Sequence, residues 1–166
     1  MKTFISIITL LFCVHPAFAE WTTDTTNKEY FWAATTNDEG HVFGQYCYHE
    51  SKKCLWLIGV PTKCESSSKY PALVNSTGGS GSVELYCLSQ SGGSNVLAFV
   101  NFDQIDNFVR QSDKIGIALP LENDRFRVYR FDIAGAARQL DKMRAEALRY
   151  QSKAGRKPGR GSGEYL

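Results

Sequence analysis

Residues 47–54 read CYHESKKC and stand between two apolar segments, HVFGQYC at 41–47 and CLWLIGV at 54–60. Both segments have the length and the β-branched and aromatic residues typical of strands. If the two strands pair antiparallel across the polar segment, Cys47 and Cys54 lie opposite each other, close enough for a disulfide. The stretch therefore predicts a β-hairpin whose strands are bonded at the base of the loop.

The same stretch contains His49 and Glu50, which raises the alternative of a metal site. Zinc sites usually take four ligands, often as cysteine or histidine pairs two to four residues apart. The two cysteines here enclose six residues, which departs from that spacing. An oxidising compartment would favour the disulfide over thiolate ligands, so the choice depends on where the chain resides.

The first 19 residues, MKTFISIITLLFCVHPAFA, have the pattern of a secretory signal peptide. Lys2 supplies the positive start, residues 4–14 are almost entirely apolar, and Ala17-Phe18-Ala19 supplies the small residues at a cleavage site. The apolar run is too short to span a bilayer. We therefore predict that residues 1–19 are removed and that the mature chain resides in the periplasm or is secreted.

The cysteines are consistent with export. Cys13 lies in the predicted signal peptide; a lipoprotein signal that keeps it is an alternative, but the bulky Phe12 before it disfavours acylation. An even number of cysteines remains, so two disulfides are expected, and three connectivities are open. We favour Cys47–Cys54, with Cys64–Cys87 as the remaining pair.

Charge narrows the function classes. Lys and Arg number 19 against 17 Asp and Glu, a formal net charge of +2, which disfavours nucleic acid as the main partner. We find no second apolar run long enough to cross a membrane, no catalytic constellation and no cofactor motif. We therefore predict no cofactor, no metal and no catalytic residue.

Strand-like segments recur along the chain between turns rich in Gly, Ser, Asn and Asp. Residues 20–29 are polar and predict a loose lead-in, and the Gly/Ser cluster at 78–82 predicts a turn. In the segment 82–89, alternation predicts that Cys87 points into the core. The predicted strands are 30–36, 41–47, 54–60, 70–76, 82–89, 95–102, 115–119 and 125–131.

Two helices complete the prediction. Asp103 caps a short helix over 103–112, and Asp132 opens a longer helix over 134–151. The short helix has an apolar side formed by Ile105, Phe108 and Val109, and the long helix has an apolar stripe formed by Ala136, Leu140, Met143 and Ala147. Residues 152–166 have the composition of a disordered basic tail. We predict a mostly β or α+β single domain over 20–151, an antiparallel β-sandwich-like fold with a short central helix and a C-terminal helix.

Two segments are candidate binding surfaces. The hairpin loop carries charged and polar side chains on a rigid support: His49, Glu50, Lys52 and Lys53. The segment RFRVYRF alternates, so that one face of the strand carries Arg125, Arg127 and Tyr129 and suits an anionic ligand. Its simpler interpretation is a solvated sheet edge. His41 and His49 are the histidines of the mature chain, and we expect both to be solvated on strand edges.

The layout resembles the invasion-associated locus B family of exported bacterial proteins. The resemblance rests on NFVRQSDK, IGIALPL with FRVYRF, FDIAGAARQLDKM, and FWAATT followed by CYHESKKC, within residues 30–148. The Cys64 loop and YPALVNS depart from the pattern. The resemblance implies a disulfide-bonded, mostly β protein of the periplasm or outer surface, linked to host association and without established catalytic residues, so no site residue is carried over.

We therefore expect an exported envelope protein with a binding or structural role, whose partner is an envelope protein or a polysaccharide. The alternative is a small envelope hydrolase, or an inhibitor of an envelope enzyme, that uses His41 or His49.

Overall fold

The computed structural model of the chain describes residues 20–61, 63–91, 94–121 and 125–154. The first five strands are β1 Thr22–Asp24, β2 Tyr30–Thr36, β3 Val42–Tyr48, β4 Cys54–Val60 and β5 Lys69–Ser76. The other elements are β6 Gly79–Ser91, β7 Ser94–Phe99, α1 Phe102–Arg110, β8 Lys114–Pro120, β9 Phe126–Asp132 and α2 Ala136–Ala154. Each predicted strand and both predicted helices are therefore present, within a few residues of the predicted bounds.

All nine strands belong to one antiparallel sheet with the order β1-β2-β3-β4-β7-β6-β5-β8-β9. The hairpins β2–β3, β3–β4, β5–β6, β6–β7 and β8–β9 join sequence neighbours, whereas the β4–β7 and β5–β8 pairings are non-local. The mostly β single domain with a short central and a C-terminal helix is confirmed.

Alternation gives the sheet two unlike faces. We call inner the face that carries the large buried side chains, and outer the opposite face. On the inner face the ring of Phe43 lies 5.3 Å from that of Phe131 and 6.0 Å from that of Phe99. Because β9 is six positions from β3 in the strand order, the contact between Phe43 and Phe131 shows that the sheet folds over its own inner face.

Both helices pack on the inner face. The predicted apolar stripe of α2 is buried, as are Ile105 and Val109 of α1. Phe108 packs against the core beside Gly81 of β6, and Tyr150 at the end of α2 contacts Phe31 of β2. The outer face has no helix over it within the described residues.

The prediction of a loose lead-in over 20–29 is wrong. Trp21 is 3% exposed, and its ring packs edge-on against those of Phe43 and Trp56. Thr22–Asp24 then pairs with β2 as an edge strand. One apolar ring among polar residues gives no periodic signal, but its burial in the core orders the segment after it.

Several predicted boundaries also differ. α1 begins at Phe102 and is capped by Asn101, whose side chain accepts a hydrogen bond from the Gln104 amide, rather than by Asp103. The predicted turn at 78–82 is mostly strand, because β6 begins at Gly79. α2 begins at Ala136 and continues through Ala154, so the predicted tail starts too early at 152. Residues 1–19 and 155–166 lie outside the described residues, and their predicted roles stay predictions.

Candidate functional site

The two disulfides are Cys47–Cys54 and Cys64–Cys87, with Cα–Cα distances of 3.9 and 6.0 Å. Cys47 and Cys54 are direct partners in the β3–β4 register, as the hairpin interpretation requires. Cys87 is buried, as predicted from its alternation. The favoured pairing is confirmed, and the CYHESKKC stretch is a cross-linked hairpin.

The loop of this hairpin is closed by a hydrogen bond from the Tyr48 amide to the Lys53 carbonyl, 2.9 Å. Glu50, Lys52 and Lys53 are exposed, and Lys52 adopts a positive φ of 56°. These three side chains form a charged exposed tip, as predicted. Whether the tip binds anything stays a prediction.

His49 does not share that exposure. Its ring stacks on Tyr150 at 4.1 Å and meets the ring of Phe31 at 4.4 Å. Its Nε2 lies 3.2 Å from the carbonyl oxygen of Asn27. The expectation of a solvated His49 is therefore wrong, because the end of α2 covers it; the imidazole joins the hairpin to the helix.

His41 is likewise not solvated, since it is 8% exposed. Its Nδ1 lies 3.2 Å from Oδ1 of Asn37, and its ring lies 4.9 Å from that of Tyr129. The fold of the sheet brings β9 over the start of β3, a long-range contact that the local sequence does not encode. The two histidines lie in different packing environments.

The structure separates the residues predicted to share one binding face of RFRVYRF, at 125–131. Tyr129 is 1% exposed and belongs to the core, so the predicted exposed face does not include its ring. Arg127 lies over that ring at 5.5 Å and donates a hydrogen bond of 3.1 Å to Glu39. Arg125 is exposed. A binding role for Arg125 and Arg127 stays a prediction.

A polar network beneath the inner face holds the helices to the sheet. Asp106 of α1 accepts hydrogen bonds from Arg144 of α2, from Arg110 at 3.0 Å and from Nε1 of Trp56 at 3.2 Å. Arg144 Nε also donates to Oε1 of Gln45 at 2.7 Å. Burial raises the pKa of Asp106, but the hydrogen bonds and charges of Arg144 and Arg110 outweigh it, so the pKa lies below its usual 3.8.

A shallow groove of about 910 Å³ runs over the outer face of β5, β8 and β9. Its floor includes two small residues, Gly116 and Ala118, and its walls include Leu73 and Val128, which are 52% and 40% exposed. Arg130 also lines the groove, and its side chain makes no ion pair with any described residue. We call this region the groove half of the outer face.

The other half of the outer face carries a cluster of aromatic rings. Its members, which we call the aromatic cluster, are Tyr30, Trp32, Tyr46 and Tyr48. Tyr30 lies 5.7 Å from Tyr46 and 5.5 Å from Tyr48, and Trp32 is stacked on Tyr46 at 6.3 Å. All four are half-buried by one another, and no described helix covers them. The strand register aligns them, because Trp32 is the partner of Tyr46 and Tyr30 that of Tyr48.

The cluster perturbs its own hydroxyl groups. Burial, followed by the neighbouring Tyr30 and Tyr48, raises the pKa of Tyr46 to about 12. Burial and Tyr30 also raise the pKa of Tyr48. The phenols of Tyr46 and Tyr48 therefore stay neutral across physiological pH and can donate hydrogen bonds.

Sequence analysis did not single out this cluster. The signal was present as two aromatic pairs at i and i+2, in YFW at 30–32 and YCY at 46–48. Each pair places two rings on one face of a strand. Recognising a single surface needed the β2–β3 register, since cross-strand neighbours bring the two pairs together.

Within the described residues, no group of three or more His, Cys, Asp or Glu is arranged to hold a metal ion. The helices in that part of the chain are also too short or too polar to cross a membrane.

The chain matches no family model and no curated protein. Its fold is similar to the crystal structure of invasion associated protein B from Bartonella henselae, with a TM-score of 0.56 and 10% sequence identity. The match covers 78% of this chain and 94% of that chain. The resemblance drawn from the sequence is therefore confirmed at the level of the fold.

Proposed function

We propose that this chain is an exported envelope protein that binds a protein partner through the aromatic cluster. The signal-peptide pattern and the two disulfides support export to the periplasm or beyond. Host association is part of the proposal, because the structural neighbour is called invasion associated and shares this fold. The role is one of binding rather than catalysis.

The observation that carries the proposal is the composition of the aromatic cluster. Trp and Tyr are the side chains that most often dominate the energy of protein–protein interfaces, because each buries a large rigid surface and still donates a hydrogen bond. Here three tyrosines and one tryptophan lie side by side on an open sheet face. Leu55, the register partner of Tyr46, extends this apolar surface onto β4.

Shape favours a protein over a small ligand. Small-molecule sites are concave and enclose most of the ligand. The aromatic cluster is instead a surface of rings on adjacent strands, and the described groove lies on the other half of the sheet. A flat aromatic surface suits a large partner that can cover it and exclude water from its rim.

The positions of the histidines also support a binding role. His41 packs edge-on against Tyr129, and His49 stacks on Tyr150 and meets Phe31 edge-on. Neither lines the described groove. A hydrolytic function using either imidazole would need one of these packed rings to move.

The test is capture from a bacterial envelope extract by the purified mature chain, followed by quantitative mass spectrometry. The variant Trp32→Ala/Tyr46→Ala removes two rings of the cluster, and Phe126→Ala removes an exposed ring on the groove half as the matched control. Melting temperature and free-thiol content show whether each variant is folded.

We expect a partner protein to be captured by the wild type and by Phe126→Ala, and to be reduced at least about tenfold with the double variant, the loss typical of interface hot spots. Equal capture by all three chains would contradict the proposal. Enrichment of polysaccharide in place of protein would contradict the partner class.

A further inference from the structure

β9 is an edge strand of the sheet. It pairs with β8 along its whole length, from Lys114 opposite Asp132 to Pro120 opposite Phe126, and has no other hydrogen-bonded strand within the described residues. An edge strand presents unpaired backbone groups to a second strand, and proteins either block that edge or use it.

The hydrogen bonds between β8 and β9 show which backbone groups of β9 face β8 and which face the open edge. The Leu121 amide donates to the Arg125 carbonyl at 2.7 Å, and the Ile133 amide donates to the Asp113 carbonyl at 2.7 Å. Alternate residues of an antiparallel strand face the same neighbour, so the odd-numbered residues of β9 face β8. The groups that point to the open edge belong to Phe126, Val128 and Arg130.

The sequence of this strand is complementary to itself. RFRVYRF at 125–131 is centred on Val128, and an antiparallel second copy in that register pairs every arginine with an aromatic ring. Phe126 stands opposite Arg130 of the second copy, and Arg127 opposite Tyr129. No arginine faces another arginine, so the pairing avoids like-charge repulsion.

The outer-face side chains are those that a second copy would cover. Phe126 is 59% and Val128 40% exposed, and Arg130 has no ion-pair partner among the described residues. In the symmetric register the two Val128 side chains meet at the centre. Each Arg130 guanidinium then lies beside a Phe126 ring, a cation–π contact.

The inner-face side chains of β9 project away from the open edge. Arg127 is held by Glu39, and Tyr129 is covered by His41, so the β2–β3 turn contacts β9 through side chains that project inward. The turn also lies beside the Arg130 end of this edge, because Asn37 and Asp38 line the groove together with Arg130.

We propose that two copies of this chain associate through β9, in an antiparallel, two-fold symmetric pairing centred on Val128. The paired segment is seven residues long, which is small for a protein interface, so the dimer is weak, with a dissociation constant on the order of 10 to 100 µM. A closed two-fold pairing uses the β9 edge of both copies and adds no third copy through β9.

The test is sedimentation equilibrium of the mature chain over a concentration range that brackets this dissociation constant. Val128→Pro removes the one amide at the centre of the open edge and, because that amide does not face β8, leaves the β8–β9 ladder intact. Val128→Thr keeps the amide and the β-branched shape, and is the matched control.

We expect the wild type and Val128→Thr to approach twice the monomer mass with rising concentration, and Val128→Pro to stay monomeric with an unchanged circular dichroism spectrum. A wild type that stays monomeric would overturn the proposal. The arginines of β9 would then be interpreted as charges that prevent another strand from pairing at this edge. Dimerisation of folded Val128→Pro would also overturn it.

Hydrogen exchange on the wild type keeps the proposal testable if Val128→Pro does not fold. The amides of Phe126, Val128 and Arg130 should exchange several-fold more slowly at high than at low protein concentration. Amides of β3, which has neighbours on both sides, should not change. Exchange at the three β9 amides that is independent of concentration would overturn the proposal.

Discussion

The two halves of the outer face are built in opposite ways. In the aromatic half, rings from β2 and β3 fill the surface and half-bury one another. In the groove half, small residues on β8 leave a depression lined by Leu73 and Val128, which are 52% and 40% exposed, and Phe126 on the same face of β9 is 59% exposed. The aromatic half is closely packed without a partner, whereas the groove half leaves apolar side chains exposed that a partner could cover.

This difference separates two kinds of interaction. A preformed aromatic surface loses little side-chain freedom on binding, which suits a specific partner. An open edge beside exposed apolar residues recruits backbone hydrogen bonds, which suits another strand. A single sheet can therefore hold one partner on its face and a second copy at its edge, without either site using the other's residues.

The disulfides give the largest expected loss of stability for a single change. Cys47–Cys54 fastens the hairpin of the aromatic half and joins residues 7 apart, whereas Cys64–Cys87 fastens the loop before β5 to β6 and joins residues 23 apart. Loop-closure entropy predicts a loss of about 2.5 kcal/mol for Cys47→Ser/Cys54→Ser and about 3.5 kcal/mol for Cys64→Ser/Cys87→Ser. Urea denaturation of both double variants measures the two losses, and a larger loss for the shorter loop would contradict this ranking.

Two glycines of the outer face test how tightly each half is packed. A Cβ at Gly44 would lie 2.4 Å from Cβ of Ala34 and 2.5 Å from the Ala33 carbonyl, so Gly44→Ala must move β2 away from β3 and should cost about 3 kcal/mol. A Cβ at Gly116 would meet Val128 at 3.6 Å, an ordinary contact. Gly116→Ala should be neutral or stabilise by about 0.5 kcal/mol.

The free energies of unfolding of these two variants decide the point. Equal losses would mean that the halves are packed alike. A tolerated Gly44→Ala would show that β2 and β3 can separate without disturbing the aromatic cluster.

The network around Asp106 supports the aromatic half from beneath, through Gln45 and Trp56. Asp106→Asn should cost about 2 kcal/mol at pH 7, because it leaves Arg144 partly buried without its carboxylate. The folded pKa of Asp106 is depressed, so its contribution is present above its unfolded pKa of about 3.8 and is lost as pH falls through the folded value. The difference in free energy of unfolding between wild type and variant should therefore shrink as the pH falls below 3.8, and a difference that does not shrink on acidification would contradict the assignment.

The smallest effect is spectroscopic. Because the pKa of Tyr46 is raised from its ordinary 10.0 to about 12, its phenol should ionise late in an alkaline titration followed at 295 nm, and Tyr46→Phe should remove that late step. The folded pKa exceeds the unfolded one, so the stabilisation is present below pH 10 and falls between about pH 10 and 12. A single transition near pH 10 in the folded protein would show that the rings are not packed together.

Local patterns predicted the elements but not their arrangement. The segments Tyr30–Thr36 and Cys54–Val60 were predicted to the residue, because alternation and apolar runs mark strands directly. The β4–β7 and β5–β8 pairings join segments far apart in sequence, and nothing in either segment specifies the other. Trp21, His41 and His49 are likewise covered by residues far away in sequence, Phe43, Tyr129 and Tyr150 respectively, and their packing was missed for that reason.

Of the candidate sites, the cross-linked hairpin was predictable, because a cysteine spacing and a compartment decide it. The burial of Tyr129 in β9 was not predictable, because it results from the folding of the sheet over its own inner face. The aromatic cluster was recoverable only once Trp32 was known to be the partner of Tyr46.

The most direct test of the aromatic surface is side-chain oxidation footprinting of the wild-type chain, alone and bound to the protein it captures from envelope extract. We predict that binding protects Trp32, Tyr46 and Tyr48 by several-fold and leaves Phe126 as reactive as in the free dimer or monomer at the same concentration. Unchanged oxidation of the three rings in the complex, or protection confined to the groove half, would contradict the account.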